Sequence, residues 1–251
     1  MIKRDAFRLV PALLILLIPM LGAAAADTER PDSERIHHSY ELARGASVEV
    51  SGIAGPVEIE TTSNDTAEVN VIRSAPSHAD LECGKIVIEQ TSTRLRISSE
   101  ANCSIVRGRQ SVTLKLPRRV DLSLQNIAGD VRIGPTDGMV RLESIAGHVA
   151  VAELRTASMS SLAGGLSMTV AGVGDRGIHV SSVTGGIDLD VRKGVDAELR
   201  VKNVVGKVHS DASDFSISGG GDSDYQAVIG SGGSKILIES VVGGVDIRRG
   251  R

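Results

Sequence analysis

The sequence predicts an all-β fold, a β-solenoid or parallel β-helix-like repeat with a less regular N-terminal β cap. Three observations carry that expectation. A corner string of Ser or Asn, an apolar residue, Ala, Val or Thr, and Gly recurs along the chain. It reads Asn126-Ile-Ala-Gly129, Ser144-Ile-Ala-Gly147, Ser161-Leu-Ala-Gly164, Ser182-Val-Thr-Gly185, Asn203-Val-Val-Gly206 and Ser240-Val-Val-Gly243. A looser copy, Gly52-Ile-Ala-Gly55, comes earlier. The glycines from Gly129 to Gly206 are nearly evenly spaced, and the last gap, to Gly243, is close to two of those intervals. A steady period of this size, about 20 residues, is the mark of stacked units. On both sides of each corner, apolar residues alternate with polar ones, as in Leu122 and Leu124 before Gly129 and Val131 and Ile133 after it. That is the period-2 pattern of half-buried strands. Aromatics are nearly absent, with only Tyr40, Phe215 and Tyr225 beyond Ala26. An interior filled by Val, Ile and Leu suits two sheet faces about 10 Å apart.

Residues 1–26 read as a secretory signal peptide. Lys3, Arg4 and Arg8 precede a short apolar stretch broken by Pro11 and Pro19, and Ala23 to Ala26 supply small residues for cleavage. An uncleaved anchor is the competing reading. No later apolar run is long enough to span a bilayer, so no transmembrane anchor is expected after cleavage. Residues 27–45 are polar and charged and read as a flexible leader. Residues 46–118 read as an N-terminal β region with looser spacing, an antiparallel cap shielding one end of the stack. Residues 119–250 carry the repeats, one continuous domain with 46–118. Each unit is strand, corner, strand, loop, and like residues stack from unit to unit. The corner glycines Gly55, Gly129, Gly147, Gly164, Gly185, Gly206 and Gly243 let the backbone bend without a Cβ clash. The Ser/Asn column has two readings, a polar ladder or simple turn preference. Residues 211–234 break the pattern, as one degenerate rung with Phe215 and Ile217 in the core or as a loop over the side.

Cys83 and Cys103 are the only cysteines. Export to an oxidising compartment favours a disulfide between them over two free thiols. Such a bond, closing about 20 residues, contributes about 3 kcal/mol.

The chain resembles the bacterial putative-adhesin family, a domain of unknown function built from β-strand repeats. The resemblance rests on Val48-Glu-Val-Ser-Gly-Ile-Ala-Gly55-Pro-Val-Glu-Ile59, on Val112-Thr-Leu-Lys-Leu116-Pro117 leading into Leu122-Ser-Leu-Gln-Asn-Ile-Ala-Gly129-Asp-Val131, and on Gly243-Gly-Val-Asp-Ile247. It covers residues 46 to 249, and the order and number of motifs carry it. It implies an exported, non-enzymatic β-repeat protein. Some family members are associated with envelope-stress sensing, and the family brings no catalytic residues.

Composition narrows the function classes. The net charge of −3 becomes about −5 without the signal segment, and no basic stripe points to nucleic acid. His148, His179 and His209 fall one, six and three residues from their corner glycines, so they face solvent without converging as metal ligands must. Asp188 and Asp190, with Asp246 at the same repeat position as Asp188, could imitate a glycosidase pair. The repeat order predicts two or three rungs between Asp188 and Asp246. The Asp211, Asp214, Asp222 and Asp224 segment lacks the spacing of known calcium loops. The Gly-Gly pairs have no strand–loop–helix context for phosphate. Asn64-Asp-Thr66 and Asn102-Cys-Ser104 match glycosylation sequons without weight in a bacterium. No cofactor or metal is expected. The expected activity is a periplasmic or secreted surface that binds an envelope protein or polymer. Self-association through end rungs and a polysaccharide-acting β-helix enzyme are the alternatives.

Overall fold

The computed structural model describes residues 31–103, 107–211, 215–220 and 224–250. The signal segment 1–26 and, in the Asp-rich stretch, Asp214 and Asp222 lie outside them. In chain order the strands are β1 Asp32–Glu41, β2 Ser47–Ser51, β3 Val57–Thr62 and β4 Thr66–Ala75. A short helix α1, His78–Cys83, precedes β5 Gly84–Thr91, β6 Arg94–Ala101 and β7 Arg109–Pro117. Then come β8 Asp121–Ala128, β9 Val131–Ile133, β10 Met139–Ala146, β11 Val149–Leu154, β12 Thr156–Ala163 and β13 Leu166–Val170. The last are β14 Ile178–Thr184, β15 Ile187–Val191, β16 Ala197–Val205, β17 Val208–Ser210, β18 Ser216–Gly220, β19 Tyr225–Ile229, β20 Lys235–Val242 and β21 Val245–Arg249.

These strands form two large mixed sheets. The ten-stranded sheet runs β1-β4-β7-β3-β9-β11-β13-β15-β21-β17. The eleven-stranded sheet runs β18-β19-β16-β20-β14-β12-β10-β8-β2-β6-β5. Each corner unit places its first strand in the larger sheet and its second in the smaller one, and neighbouring units pair in parallel. Leu122 lies beside Val140, Val140 beside Ala157, and Ala157 beside Ile178. On the other sheet Val131, Val149, Leu166, Ile187 and Val245 form the matching row. These inward rows from both sheets form one continuous apolar cluster. Strands so fully covered on one face are held by burial, at about 1.5–3 kcal/mol for each fully buried aliphatic side chain.

The corner residues explain their own recurrence. Asn126, Ser144, Ser161, Ser182, Asn203 and Ser240 all have left-handed backbones, with φ from 54° to 58°. Gly52 takes the same role in the first copy, at φ 71°. Short polar residues tolerate that conformation better than other non-glycine types. All six side chains are exposed, and among the described residues no side-chain hydrogen bond links one to the next. Turn preference, not a polar ladder, accounts for the column. Three residues on, the glycines stack directly over one another from strand to strand, leaving no room for a side chain. A Cβ on Gly164 would lie 2.1 Å from the Gly147 carbonyl oxygen, and one on Gly185 would lie 2.1 Å from that of Gly164. Close approach of neighbouring backbones, more than the bend itself, demands glycine there.

The order of units departs from the expectation. The Ser240 unit, β20 and β21, does not follow the Asn203 unit. It sits between the Ser182 unit, β14 and β15, and the Asn203 unit, β16 and β17. The chain reaches that slot through β18 and β19, which lie in the larger sheet alone, β18 antiparallel to β19 and β19 antiparallel to β16. The described part of residues 211–234 is therefore neither a degenerate rung nor a side loop, but holds an antiparallel extension of one sheet. Phe215 and Tyr225 contribute to its buried side. The other end mirrors this arrangement. The first unit, β2 and β3, lies between β6 and β7 on one side and β8 and β9 on the other.

Two further expectations are corrected. Residues 46–118 are only partly a cap, because β6 and β7 form a complete parallel unit. Its glycine position is taken by Gln110, whose carbonyl oxygen would lie 1.8 Å from a Cβ on Gly55. The antiparallel cap consists of β4, β5 and β1. The leader is structured from Asp32. All ten residues of β1 pair with β4, from Asp32 opposite Ala75 to Glu41 opposite Thr66. Ile36 and Tyr40 pack on the core. Arg73, only 6% exposed, ties this corner together. Its guanidinium pairs with Glu34 on β1 and donates to the Leu81 carbonyl of α1 and, at 2.8 Å, to that of Gly84. A polar edge strand needs few apolar residues, so its composition resembles that of a leader.

Candidate binding face

Cys83 and Cys103 form a disulfide with Cα atoms 5.3 Å apart. It fastens the end of α1 to the segment after β6, beside Asn102, whose amide donates to the Cys83 carbonyl. The Asn102-Cys-Ser104 sequon extends past the described residues at Ser104.

The candidate chemical residues are spread apart. His148, just before β11 of the smaller sheet, lies 3.4 Å from the Ser167 hydroxyl. His179 lies on the outer face of the larger sheet, 3.5 Å from Glu239. His209 stands opposite Asp246 in register. His37 meets the Asn70 side chain at 2.6 Å, His38 stacks on Tyr40, and His78 opens α1. Among the described residues no three His, Cys, Asp or Glu side chains group together as metal ligands. Asp188 and Asp246 are not two or three rungs apart. They are register partners on adjacent strands β15 and β21, a consequence of the displaced Ser240 unit. Arg248 binds Asp188 at 3.1 Å and so occupies this carboxylate. Asp224 accepts from the Asn203 amide at 3.0 Å and stabilises a turn.

Both outer faces bear paired charges, as Lys115 with Glu68 on the ten-stranded sheet shows. On the eleven-stranded sheet the densest group centres on Glu49. Glu49 accepts two bonds from Arg94, at 3.0 and 2.9 Å, and lies 3.3 Å from Arg96. The Glu49 carboxylate raises the Arg94 pKa above its ordinary value through that hydrogen bond.

The outer face of the ten-stranded sheet also holds a shallow trough of about 600 Å³. It crosses β3, β9, β11, β13 and β15, four strand spacings or about 19 Å. Its floor is made of small side chains, with Ala150, Ala152, Ser167 and Thr169 at outward positions beside Gly134. Glu58 and Glu60 stand at one end, Asp190 at the other, and Arg132 between them. Local structure produces the depression. Register shifts in β11 between Val151 and Leu154, so that two residues face Thr169 alone, a bulge that curves the sheet. Strand β9 stops at Ile133, and the chain turns away at Gly134-Pro135, where the Thr61 hydroxyl donates to the Pro135 carbonyl at 2.6 Å. Among the candidate site residues singled out from sequence, Asp190 lines this trough, but none of them marks its floor. Its signal is the run of small residues at outward positions of successive units.

No family profile matches the chain, and no curated protein matches it in sequence. Solved structures do align with it. A putative cell adhesion protein from Clostridium sporogenes ATCC 15579 aligns over 88% of this chain and 100% of its own, at 15% identity and a TM-score of 0.45. A putative adhesin from Bacteroides fragilis NCTC 9343 aligns over 85% and 97%, at 14% identity and a TM-score of 0.40. A putative lipid binding protein from Parabacteroides distasonis ATCC 8503 aligns over 86% and 97%, at 10% identity and a TM-score of 0.29.

Proposed function

We propose that this chain is an exported, non-enzymatic, adhesin-like protein, a β-solenoid-type stack that presents the outer face of its smaller sheet to a partner at the cell envelope. The trough across β3 to β15 carries this reading. A floor of small side chains admits an extended segment lying across the strands. Glu58, Glu60 and Asp190 outnumber Arg132 along it, so the segment that fits is polar and net basic, part of an envelope protein. Charge complementarity of this kind sets orientation and association rate more than affinity. The signal-peptide pattern supports export, and among the described residues no helix is long and apolar enough to cross a membrane.

Retention on envelope fractions tests the proposal. The intact protein is expected to bind in a saturable manner. Ala150→Tyr with Ser167→Tyr, which fill the floor from half-buried positions, should weaken retention about tenfold with the fold unchanged by circular dichroism. Equal retention of the filled variant would refute the trough as the binding face.

A further inference from the structure

The geometry points to a second binding site, one for a phosphate group, at the turn edge of the stack. Arg44, in the turn between β1 and β2, and Arg118 and Arg119, between β7 and β8, line one cavity of about 310 Å³ with Thr62 and Ser63. Three turns distant in sequence are locked together beneath them. The Gly45 amide donates to the Arg119 carbonyl at 3.2 Å, and the Arg118 amide to the Thr62 carbonyl at 3.1 Å. The Arg118 carbonyl in turn accepts from the Asp137 amide at 2.9 Å and from the hydroxyl of the buried Thr136 at 3.3 Å. The guanidiniums therefore rise from a fixed floor rather than from free loops.

Several other surface arginines are engaged, as Arg94 is with Glu49, Arg192 with Glu153 and Arg248 with Asp188, while others, such as Arg132, Arg141 and Arg200, stand apart from one another without an ion pair among the described residues. Among the described residues, Arg44, Arg118 and Arg119 make no ion pair. Asp65 and Asp137 also line the cavity, and Asp137 lies 3.9 Å from Arg155. The two acids leave the site with one excess positive charge and limit how much negative charge it accepts. Guanidinium forks match the oxygens of a tetrahedral phosphate in pairs. Three forks with two adjacent hydroxyls suit a phosphate better than a carboxylate, which has only two oxygens. The site is at the turn edge and the trough on a sheet face, so neither depends on the other.

Calorimetric titration of the intact protein with inorganic phosphate, and co-sedimentation with phosphatidylglycerol vesicles against phosphatidylcholine vesicles, test the site. Saturable binding of inorganic phosphate assigns a free anion, and retention on phosphatidylglycerol vesicles alone assigns a lipid headgroup. Either is expected to weaken at least tenfold in Arg118→Gln with Arg119→Gln and in Arg44→Gln, and to strengthen in Asp65→Asn. The trough-filled variant should bind as the unaltered protein does. Binding of neither probe, or binding unchanged in the arginine variants, would overturn the assignment.

Discussion

Truncation after Ser234, which removes β20 and β21, will release the end of the stack rather than shorten it. Those two strands lie between β14 and β16 in the larger sheet and between β15 and β17 in the smaller one. Ile236, Ile238, Val241, Val245 and Ile247 have no exposed surface. At about 1.5–3 kcal/mol each, their loss is on the order of 10 kcal/mol, concentrated at this end of the stack. The Asn203 unit then has no neighbour in parallel register, because its parallel partners are β20 and β21. Hydrogen exchange should show the amides of β16, β17 and β19 unprotected while those of β8 to β13 stay protected. A sequential stack would instead lose only its last unit and keep β16 protected.

The second large effect separates two adjacent glycines. A Cβ on Gly185 would sit 2.1 Å from the Gly164 carbonyl oxygen and 2.5 Å from its carbon, at a φ of +143°. The obstruction is backbone, and it belongs to a ladder in which the Gly164 amide donates to the Thr184 carbonyl and the Gly185 amide to that of Val242. Neither strand can move without opening the corner. Gly185→Ala should cost about 3 kcal/mol or more, the upper end of what overpacking and backbone shifts cost. At Gly186 the nearest atom to an added Cβ is 3.8 Å away, so Gly186→Ala should stay within about 0.5 kcal/mol of the unaltered protein. Urea unfolding of the two variants measures the difference. Similar midpoints would mean that the corners are not in contact.

The corners and the alternating strands are legible in the sequence because each depends on local chemistry, a left-handed Ser or Asn, a glycine, and inward aliphatics in period two. The order of the units is not. The Ser182, Asn203 and Ser240 copies have the same register and the same glycine, so nothing within a copy states which neighbour it takes. That is why chain order sets Asp188 and Asp246 apart while the fold makes them adjacent. The unit of β6 and β7 is hidden because Gln110 stands in the glycine column and the disulfide-bearing loop separates its strands. Strand β1 has the look of a leader because an edge strand buries little beyond Ile36 and Tyr40. Helix α1 does have a signal, with Ser77 capping the Asp80 amide at 3.2 Å and Gly84 closing the other end. The trough needs both the alignment of units and the β11 bulge, and only the first can be read from residues. The arginine cavity joins turns far apart in the chain, from Arg44 to Arg119, which no local pattern reveals.

The proposed binding face is tested most directly by carboxyl footprinting of the protein with and without envelope fraction, with carbodiimide coupling read by mass spectrometry. Glu58, Glu60 and Asp190 should lose reactivity on binding, while Glu143 and Glu239 on the eleven-stranded sheet keep theirs. Protection of Glu143 and Glu239 with Glu58, Glu60 and Asp190 still reactive would place the partner on the opposite face and contradict the account.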